Sequence, residues 1–345
     1  MSLTIVVGGQ FGGEGKGSVS AFVARADGAT AVVKTGGPNC SHTIVAPGGD
    51  VHHLRMLPTA AVVGTPLVLY PAGCLIHVDT LFREIGAVGF GGKIIVDTNA
   101  GIITDDLIRQ QRDDRFYGFG GSTLTGTGYA TAQRAQRRLA LAAAEPRLKP
   151  YLGNVVDELV TMLSRDEPVL VEGSQAYGLS NYHGDYPFVT SRDTTTAAFM
   201  SQVGLGHRWI GDVIMVVKAF PTRNAHGEGH LVNELPSAFV DLHSALHEYG
   251  GGTYEGHDIR RRVGLFAFHD LARAVAANSP SYLALTGLDR LEQCLSEPMI
   301  QQHYGSIEKF CGAIAAAARV PIGLKSYGAD LESIVDCRAP AEIAT

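Results

Sequence analysis

The 345-residue chain has few cysteines, few charged residues and no long apolar run, and each shortage excludes a class of protein. Its five cysteines are odd in number and contain no Cys-x-x-Cys pair, so neither a disulfide framework nor a zinc site is expected. Charged residues form 18% of the chain and the net charge is −6, whereas a general nucleic-acid binder carries a basic surface. No apolar run approaches the ~18 residues of a membrane span, and no basic segment of a signal peptide opens the chain. We therefore expect a cytoplasmic protein with neither nucleic acid nor membrane as a partner.

Glycine, in contrast, is abundant. The chain contains 42 glycines, about 12% of its residues against a usual ~7%. This content has no collagen-like period, so it indicates tight turns and loops in which the backbone approaches a ligand closely.

Short apolar runs alternate with segments of helical character along the whole chain, as in an α/β protein. The predicted strands are Leu3–Val7, Ala31–Lys34, Leu67–Tyr70, Lys93–Asp97, Val169–Glu172, Asp212–Lys218, Tyr282–Thr286 and Pro321–Lys325. The predicted helices are Lys16–Arg25, Val78–Ile85, Thr131–Ala144, Val155–Ser164, Thr195–Val203, Pro236–Glu248, His269–Ala277 and Ile307–Arg319. We expect one domain over residues 1–345, with a large and mostly parallel central sheet flanked by helices, and with hairpin and loop insertions. Residues 43–46 and 51–55 form a predicted hairpin.

The first predicted strand runs into a glycine-rich segment, residues 8–17, ahead of a predicted helix. A strand, a glycine loop and a helix N-terminus together bind phosphate through backbone N–H groups, and Lys16 adds a positive charge. The P-loop spacing fails, because Gln10 stands at its first glycine and Gly17 at its Ser or Thr. The dinucleotide-binding pattern fails at Gln10 too. A simple tight turn is the alternative, but it does not need so many glycines.

The motifs of this chain resemble those of the adenylosuccinate synthetases. Residues 9–17, G-Q-F-G-G-E-G-K-G, are similar to the family's G-x-Q-W-G-D-E-G-K-G, and residues 36–43, G-G-P-N-C-S-H-T, to its G-G-x-N-A-G-H-T. Further similar segments follow in the family's order, at residues 121–123, 137–138, 172–175, 183–191, 218–223 and 260–264. The resemblance covers nearly the whole chain.

The resemblance implies a ligase reaction on a purine nucleoside monophosphate. In this family the 6-oxo group loses the N1 proton and attacks the γ-phosphate of a nucleoside triphosphate, and aspartate then displaces the 6-phosphoryl group. By resemblance, His42 acts on the transferred phosphoryl group, Gln175 steadies O6, and Lys16 contacts the outer phosphates. Mg²⁺ is the implied cofactor, held by the backbone carbonyl of Ser41; the backbone of Gly13 is a weaker second candidate.

The resemblance also implies three groups of binding residues. The triphosphate site comprises Gly12, Gly13, Glu14, Gly15, Lys16, Gly17, His42, Thr43, Asp289, Ser326 and Gly328. The monophosphate nucleotide site comprises Gly13, Asn39, Ser122, Thr123, Arg137, Gln175 and Thr190, with Arg137 supplied across the interface of a homodimer. Arg261 is the candidate for the aspartate carboxylate, with Arg260 and Arg262 as alternatives in register.

Gly13 is the most informative departure from the family pattern. The usual family has an aspartate there, which takes the N1 proton and binds Mg²⁺, and glycine can do neither. A chain without activity is one explanation, but Lys16, His42 and Gln175 are all present. The alternative is steric: without the carboxylate, space opens beside position 2 of the purine, and a guanine base with its 2-amino group is expected to fit. Phe11 in place of tryptophan and the short chain are also typical of the viral branch, the 2-aminodeoxyadenylosuccinate synthetases.

Two further departures concern the sugar and the phosphate donor. When residues 260–264 are aligned with the family's R-R-R-T-G, Ile259 stands where another family arginine reaches the ribose, which favours a 2′-deoxyribose. Residues 286–289, T-G-L-D, lack the lysine of the family's T-K-x-D, and residues 325–330 differ from its S-T-G-P-D. These differences favour ATP or dATP over GTP, although Asp289 alone does not decide between them.

The sequence thus predicts a ligase of the viral branch, in the cytoplasm of a host cell, that joins L-aspartate to dGMP. The product is 2-amino-2′-deoxy-N6-succinyladenylate, a precursor of 2-aminoadenine in viral DNA. The alternatives are an ordinary adenylosuccinate synthetase that uses IMP and GTP, and a non-catalytic nucleotide-binding protein. No residue is predicted to accept the N1 proton: Ser18 and Glu14 are close in sequence, but Glu14 is expected to support the loop.

Overall fold

The computed structural model describes residues 3–114, 122–224, 229–248 and 260–338. The strands in these ranges are β1 (Leu3–Gly8), β2 (Ala31–Lys34), β3 (His42–Val45), β4 (Val51–Leu54), β5 (Leu67–Tyr70), β6 (Leu75–Ile76), β7 (Ile94–Asp97), β8 (Gly101–Ile102), β9 (Leu152–Gly153), β10 (Val169–Glu172), β11 (Ile210–Lys218), β12 (Thr222–Asn224), β13 (Arg261–Val263), β14 (Tyr282–Thr286), β15 (Ile322–Ser326) and β16 (Ile334–Asp336). The α-helices are α1 (Lys16–Ala26), α2 (Val78–Val88), α3 (Asp105–Asp113), α4 (Thr127–Ala135), α5 (Val155–Leu163), α6 (Thr196–Val203), α7 (Ser237–Leu242), α8 (Phe268–Asn278), α9 (Leu288–Cys294), α10 (Pro298–Tyr304) and α11 (Ile307–Ala318).

One large sheet of ten strands organises the described residues, in the order β16-β15-β14-β11-β1-β10-β2-β5-β7-β9. Neighbouring strands pair in parallel throughout, except for β15 and β16, which are antiparallel. Its two edges are short, with three residues in β16 and two in β9. The predicted fold class, a large and mostly parallel sheet between helices, is confirmed.

The sheet is buried on both faces, which explains why its strands are apolar throughout. In β1 the side chains of Ile5 and Val7 belong to one apolar cluster and that of Val6 to another. The first cluster includes residues of α5, α6, α8 and α11, and the second includes residues of α1 and α2. Helices therefore cover both faces. Within the described ranges, no helix is both long and apolar enough to cross a bilayer.

All eight predicted strands and the hairpin are present, the latter as β3 and β4. The predicted helix 131–144 is wrong in its second half. Helix α4 ends because Arg137 is left-handed (φ 62°) and its N–H binds the carbonyl of Arg134, while the N–H of Arg138 binds that of Gln133. This pair of bonds is a Schellman motif, which closes a helix.

The predicted helix 236–248 is also largely wrong. Helix α7 ends at Leu242, and a 3₁₀ turn at Ser244–Leu246 follows. The imidazole Nδ1 of His243 lies 2.7 Å from the carbonyl oxygen of Phe239, which would accept the next N–H of an α-helix. A side chain that competes for a backbone carbonyl in this way ends the helix. Helices α3, α9 and α10 were not predicted.

The sheet places the predicted motifs together at the carboxyl ends of its parallel strands. In parallel strands the carboxyl ends point the same way, so the segments after β1, β2, β10, β11, β14 and β15 meet there. Strand β1 lies between β10 and β11 in the middle of the sheet. Ligands of α/β proteins bind at the carboxyl ends of the strands, and the glycine loop lies in the middle of that side of the sheet.

Candidate active site

The glycine loop between β1 and α1 is held in shape from inside by Glu14. Gly12, Gly13 and Gly15 have φ values of 89°, 69° and 85°, a conformation that other residues rarely adopt. The buried Glu14 carboxylate accepts hydrogen bonds from the N–H of Gly12 (2.8 Å) and from the Lys16 ammonium (2.5 Å). Burial disfavours the charged carboxylate, but Lys16 outweighs it and lowers the pKa of Glu14. Glu14 therefore supports the loop, as expected from the sequence.

His42 begins β3 and is held by a buried carboxylate. Its Nδ1 lies 3.0 Å from Oε1 of Glu172, which also accepts a 2.5 Å hydrogen bond from Lys34. The other carboxylate oxygen accepts hydrogen bonds from the N–H (2.9 Å) and hydroxyl (2.7 Å) of Thr59. The imidazole also packs close to α1, where a Cβ on Gly17 would lie 2.8 Å from its own Cβ. The ring is therefore fixed in orientation, with Nδ1 bound to Glu172.

Cys40 contacts the other ring nitrogen of His42. Its Sγ lies 2.9 Å from Nε2 of His42. Burial disfavours the thiolate, but His42 and Lys34 outweigh it and lower the pKa of Cys40 to about 6. Burial also disfavours the imidazolium, yet Cys40 and Glu172 raise the pKa of His42. The pair of Cys40 and His42 was not predicted from the sequence. All five cysteines are free, as predicted.

One cavity contains most of the residues predicted to bind the monophosphate nucleotide. It is lined, among others, by Asn39, Ser122, Thr123, Gln175 and Thr190. The amide nitrogen of Asn39 donates to the hydroxyl of Thr190 (3.2 Å), and that of Gln175 to the Asn39 carbonyl (3.1 Å). The side-chain oxygen of Asn39 is buried without a hydrogen-bond partner among the described residues. A buried acceptor of this kind is matched by a donor on a ligand.

A second, larger cavity adjoins the first, and Asn39, Thr123 and Gln175 line both. Its lining includes every residue predicted for the triphosphate: Gly12, Gly13, Glu14, Gly15, Lys16, Gly17, His42, Thr43, Asp289, Ser326 and Gly328. The structure thus brings together segments that are up to about three hundred residues apart in sequence.

The predicted arginines are divided between the cavity and the outside of the chain. Arg261 lines the larger cavity, whereas Arg260 pairs with Asp241 and Arg262 with Glu234. Of the three register alternatives for the aspartate carboxylate, Arg261 is thus the one that faces the cavity. Arg137 is exposed at the end of α4 and lines neither cavity within this single chain. Ile259 and Gly121 lie outside the described residues.

In this structure the ends of two flexible side chains lie beside Gly13, in the space that a side chain at this position would enter. A Cβ at this position would lie 2.2 Å from Nη1 of Arg261 and 2.7 Å from Oε1 of Glu248. The other oxygen of Glu248 accepts hydrogen bonds from Lys218 (2.6 Å) and Arg290 (3.0 Å). The sequence analysis missed these residues, because no local motif marks them.

The charges of this cluster are strongly coupled. Burial lowers the pKa of Lys218 to about 8, although Glu248 favours its charged form. Burial also disfavours the charged form of Glu248, but Lys218, Arg261 and Arg290 outweigh it and lower its pKa. Lys218 donates a further hydrogen bond to the carbonyl of Gly13 (2.9 Å). The cluster therefore carries a net positive charge next to the glycine loop.

The donor set fits a Mg²⁺ that is bound mainly by phosphates. The described residues contain no cluster of three His, Cys, Asp or Glu side chains that could hold a metal alone. Mg²⁺ in nucleotide enzymes keeps several waters and takes few protein ligands. The exposed Ser41 lies at the cavity and offers its carbonyl, whereas the carbonyl of Gly13 is bound by Lys218. Ser41 is therefore the better candidate ligand of the two.

Comparison with known proteins agrees with this geometry. The sequence model of the adenylosuccinate synthetase family matches residues 5–143 and 139–320. Adenylosuccinate synthetase of Archaeoglobus fulgidus is 35% identical over 341 residues, covering 98% of this chain and 99% of the relative. That of Methanococcus aeolicus is 36% identical over 348 residues, covering 98% and 100%.

Two solved structures share the fold. The fully ligated adenylosuccinate synthetase of Plasmodium falciparum has a TM-score of 0.84 at 22% identity and covers 98% of this chain and 100% of its own. Succinoaminodeoxyadenylate synthetase of cyanophage S-2L, bound to dGMP and dATP as an energy donor, has a TM-score of 0.82 at 23% identity and covers 99% and 97%. The family model and the archaeal relatives span nearly the whole chain, which therefore belongs to the adenylosuccinate synthetase family of Mg²⁺-dependent carbon–nitrogen ligases.

Proposed function

We propose that this ligase joins L-aspartate to C6 of dGMP and forms 2-amino-2′-deoxy-N6-succinyladenylate. The observation that supports this substrate is glycine at position 13, where the family pattern has a carboxylate facing the purine. In its place the described structure has the side chains of Glu248 and Arg261, which come from another part of the chain. The cyanophage enzyme of the same fold is bound to dGMP.

The reaction is assigned to the residues around the two cavities. The amide of Gln175, fixed by its hydrogen bond to Asn39, binds O6 as this oxygen attacks the γ-phosphorus. Nε2 of His42 donates a hydrogen bond to the transferred phosphoryl group, and Lys16 neutralises the charge on the outer phosphates. Bound Mg²⁺ supplies further neutralisation of the phosphates, held on the protein side by the Ser41 carbonyl. Arg261 then binds a carboxylate of the incoming aspartate, whose amine displaces the 6-phosphoryl group.

We assign ATP or dATP as the phosphate donor. Asp289 in the first turn of α9 and Ser326 and Gly328 after β15 lie at the larger cavity. The lysine that follows the threonine in the family's guanine-binding segment is Gly287 here, so the side chain that packs on the guanine of GTP is missing. An adenine nucleotide does not need it.

We also propose that the enzyme acts as a homodimer. Arg137 lies exposed beyond α4, in a segment that matches the family's arginine for the monophosphate of the partner's site. Within one chain it lines neither cavity, as a residue donated to a second copy should.

Ordinary adenylosuccinate synthesis from IMP and GTP is the second candidate. The archaeal relatives, at 35% and 36% identity over nearly the whole chain, bear the name of that enzyme. They are more similar in sequence than the cyanophage enzyme is.

Product analysis separates the candidates. The purified chain is incubated with L-aspartate, Mg²⁺ and each pair of one monophosphate (dGMP, GMP, dIMP or IMP) with one triphosphate (ATP, dATP or GTP). We expect the mass of the succinylated product and release of phosphate with dGMP and an adenine nucleotide. If product forms only with the pair of IMP and GTP, the enzyme catalyses the ordinary reaction. If nucleotides bind but no pair gives product, the protein is not catalytic.

A further inference from the structure

One carboxylate in the larger cavity has no place in the reaction described so far. Among the described residues the carboxylates that line this cavity are those of Glu14, Glu248 and Asp289. Glu14 is bound inside the glycine loop by Lys16 and Gly12, and Asp289 belongs to the segment assigned to the triphosphate. Glu248, which lies next to Gly13 of the glycine loop, is therefore the carboxylate in this cavity without an assigned role.

Glu248 brings a carboxylate oxygen close to the position that a side chain on residue 13 would take. In an aspartate, the carboxylate carbon lies about 1.5 Å and its oxygens about 2.4 Å from the Cβ. Oε1 of Glu248 lies 2.7 Å from the Cβ position of Gly13. A side chain that is far away in sequence thus places an oxygen beside the space that a side chain at position 13 would enter.

The hydrogen-bond pattern of guanine complements this group. Guanine presents two donors side by side, the N1–H and the 2-amino group, whereas hypoxanthine presents the N1–H alone. A carboxylate is an acceptor with two oxygens and can bind both donors together. The geometry points to Glu248 as the residue that recognises this edge of dGMP and accepts the N1 proton, an inference that rests on the proposed function.

The proton transfer is balanced within the reaction. The N1–H bond breaks and its proton moves to a Glu248 oxygen, while the electron pair shifts through the ring to O6. O6 then forms its bond to the γ-phosphorus, and the bond from phosphorus to the leaving nucleoside diphosphate breaks. Glu248 contacts the reacting base in this step, so it is a catalytic residue.

The neighbours of Glu248 hold it in place for this step. Lys218 and Arg290 bind its second oxygen at 2.6 and 3.0 Å, and Lys218 also binds the Gly13 carbonyl at 2.9 Å. Arg261 contacts the first oxygen only as an ion pair, at 3.6 Å to Nε. Aspartate can therefore take Arg261 without releasing Glu248 from Lys218 and Arg290.

The first test replaces the carboxylate without changing its size. With saturating ATP and aspartate, Glu248→Gln should lower kcat for dGMP by about 10²–10⁴-fold, the usual loss for a proton-transfer residue. The preference for dGMP over dIMP in kcat/KM should fall about tenfold, the usual loss for a two-point contact to a base edge. Glu297→Gln is the matched control, because it removes a half-exposed carboxylate from His243 outside both cavities, and it should change neither value.

A purely structural role would not move the preference between the two bases. Glu248→Asp retains the charge but withdraws the carboxylate by one methylene, so it should keep the fold, measured by circular dichroism and Tm, and still lose turnover of dGMP. Adding Gly13→Asp to Glu248→Ala should restore part of the turnover of dIMP, because a short aspartate tolerates the left-handed backbone and returns a carboxylate to this side of the site.

The outcomes for the two proposals are distinct. If the wild-type chain forms no product from dGMP, the proposed function fails and this inference fails with it. If the wild type uses dGMP and folded Glu248→Gln and Glu248→Asp both stay within threefold of its kcat and base preference, the assignment of Glu248 is overturned while the proposed function stands.

Discussion

Two sides of the larger cavity are built in different ways. On one side, Glu14 pairs with Lys16 two residues away, inside one signature loop. On the other, Glu248 binds Lys218 and Arg290, which come from separate elements. The first kind of site can be recognised from a motif, whereas the second exists only after the strands are ordered in the sheet.

The two sides also differ in burial and thus in the expected cost of mutation. Glu172, behind His42, is completely buried with Lys34, whereas Glu248 is open enough to the cavity to meet a ligand. Removing one partner of a fully buried ion pair leaves an uncompensated charge, which is among the most destabilising changes. We therefore expect the Glu172 side to determine stability and the Glu248 side to determine the choice of substrate.

The largest effect is expected from Glu172→Gln. It leaves the Lys34 ammonium buried without its carboxylate, so the free energy of unfolding in urea should fall by about 3–5 kcal/mol. Glu332→Gln is the control, since it breaks only an exposed pair with Arg25 and should cost about 1 kcal/mol or less. Equal losses in the two variants would contradict the distinction between the two sides.

The pH dependence of that difference has a definite sign. Burial opposes ionisation of Glu172, but Lys34 and His42 outweigh it and hold its pKa well below the ordinary value. Its contribution to stability is therefore complete above about pH 5 and declines as the pH falls from there towards the lowered pKa. This contribution is the difference between the free energies of unfolding in urea of the wild type and of Glu172→Gln, measured between pH 4 and pH 8. A difference that increases as the pH falls would contradict the prediction.

His42→Asn should lower kcat by about 10²–10⁴-fold with little change in KM for aspartate, because His42 acts on the phosphoryl group and not on the second substrate. Steady-state kinetics with aspartate varied at saturating nucleotides gives both values. His207→Asn, which removes an exposed histidine from the 3₁₀ turn His207–Trp209 and lines neither cavity, is the control. A change in KM alone would remove His42 from the phosphoryl step.

Arg261→Lys should raise KM for aspartate about tenfold to a hundredfold, because a lysine cannot form the two-point contact of a guanidinium with a carboxylate. Arg260→Lys and Arg262→Lys are matched changes at residues that pair with Asp241 and Glu234 outside the cavity, and we expect them to alter this KM less than threefold. A larger effect at either neighbour would mean that the register of this strand is different in the complex with aspartate.

The smallest effect is expected at Cys40. Its pKa of about 6 means that raising the pH through 6 converts the thiol to the reactive thiolate. Alkylation by iodoacetamide, followed by peptide mass, should accelerate over that range and then level off, and bound nucleotide should slow it. Cys40→Ala should keep activity within about threefold while shifting the pH–rate profile to lower pH, since His42 loses the thiolate that raises its pKa. An unchanged profile would show that the pair is irrelevant to turnover.

The parts of the fold and of the site that could be predicted are those that depend on short local sequence patterns. The apolar strands, the glycine loop and the octapeptide with His42 are local patterns, and the structure has them where they were predicted. The prediction of a helix over residues 236–248 was wrong because His243 binds the Phe239 carbonyl, and the apolar pattern does not reveal this contact. Glu248 was not predicted because it lies beside Gly13 only in the folded chain, and the two residues are far apart in sequence.

The narrow ends of the central sheet limit how two copies can assemble. Open strands are the usual template for continuous sheets between subunits, but β9 and β16 offer only two and three residues of backbone for such a contact. In the proposed homodimer we therefore expect helices and loops to form the subunit interface, with Arg137 close to it. Such contacts would leave the strand pairing of each subunit unchanged.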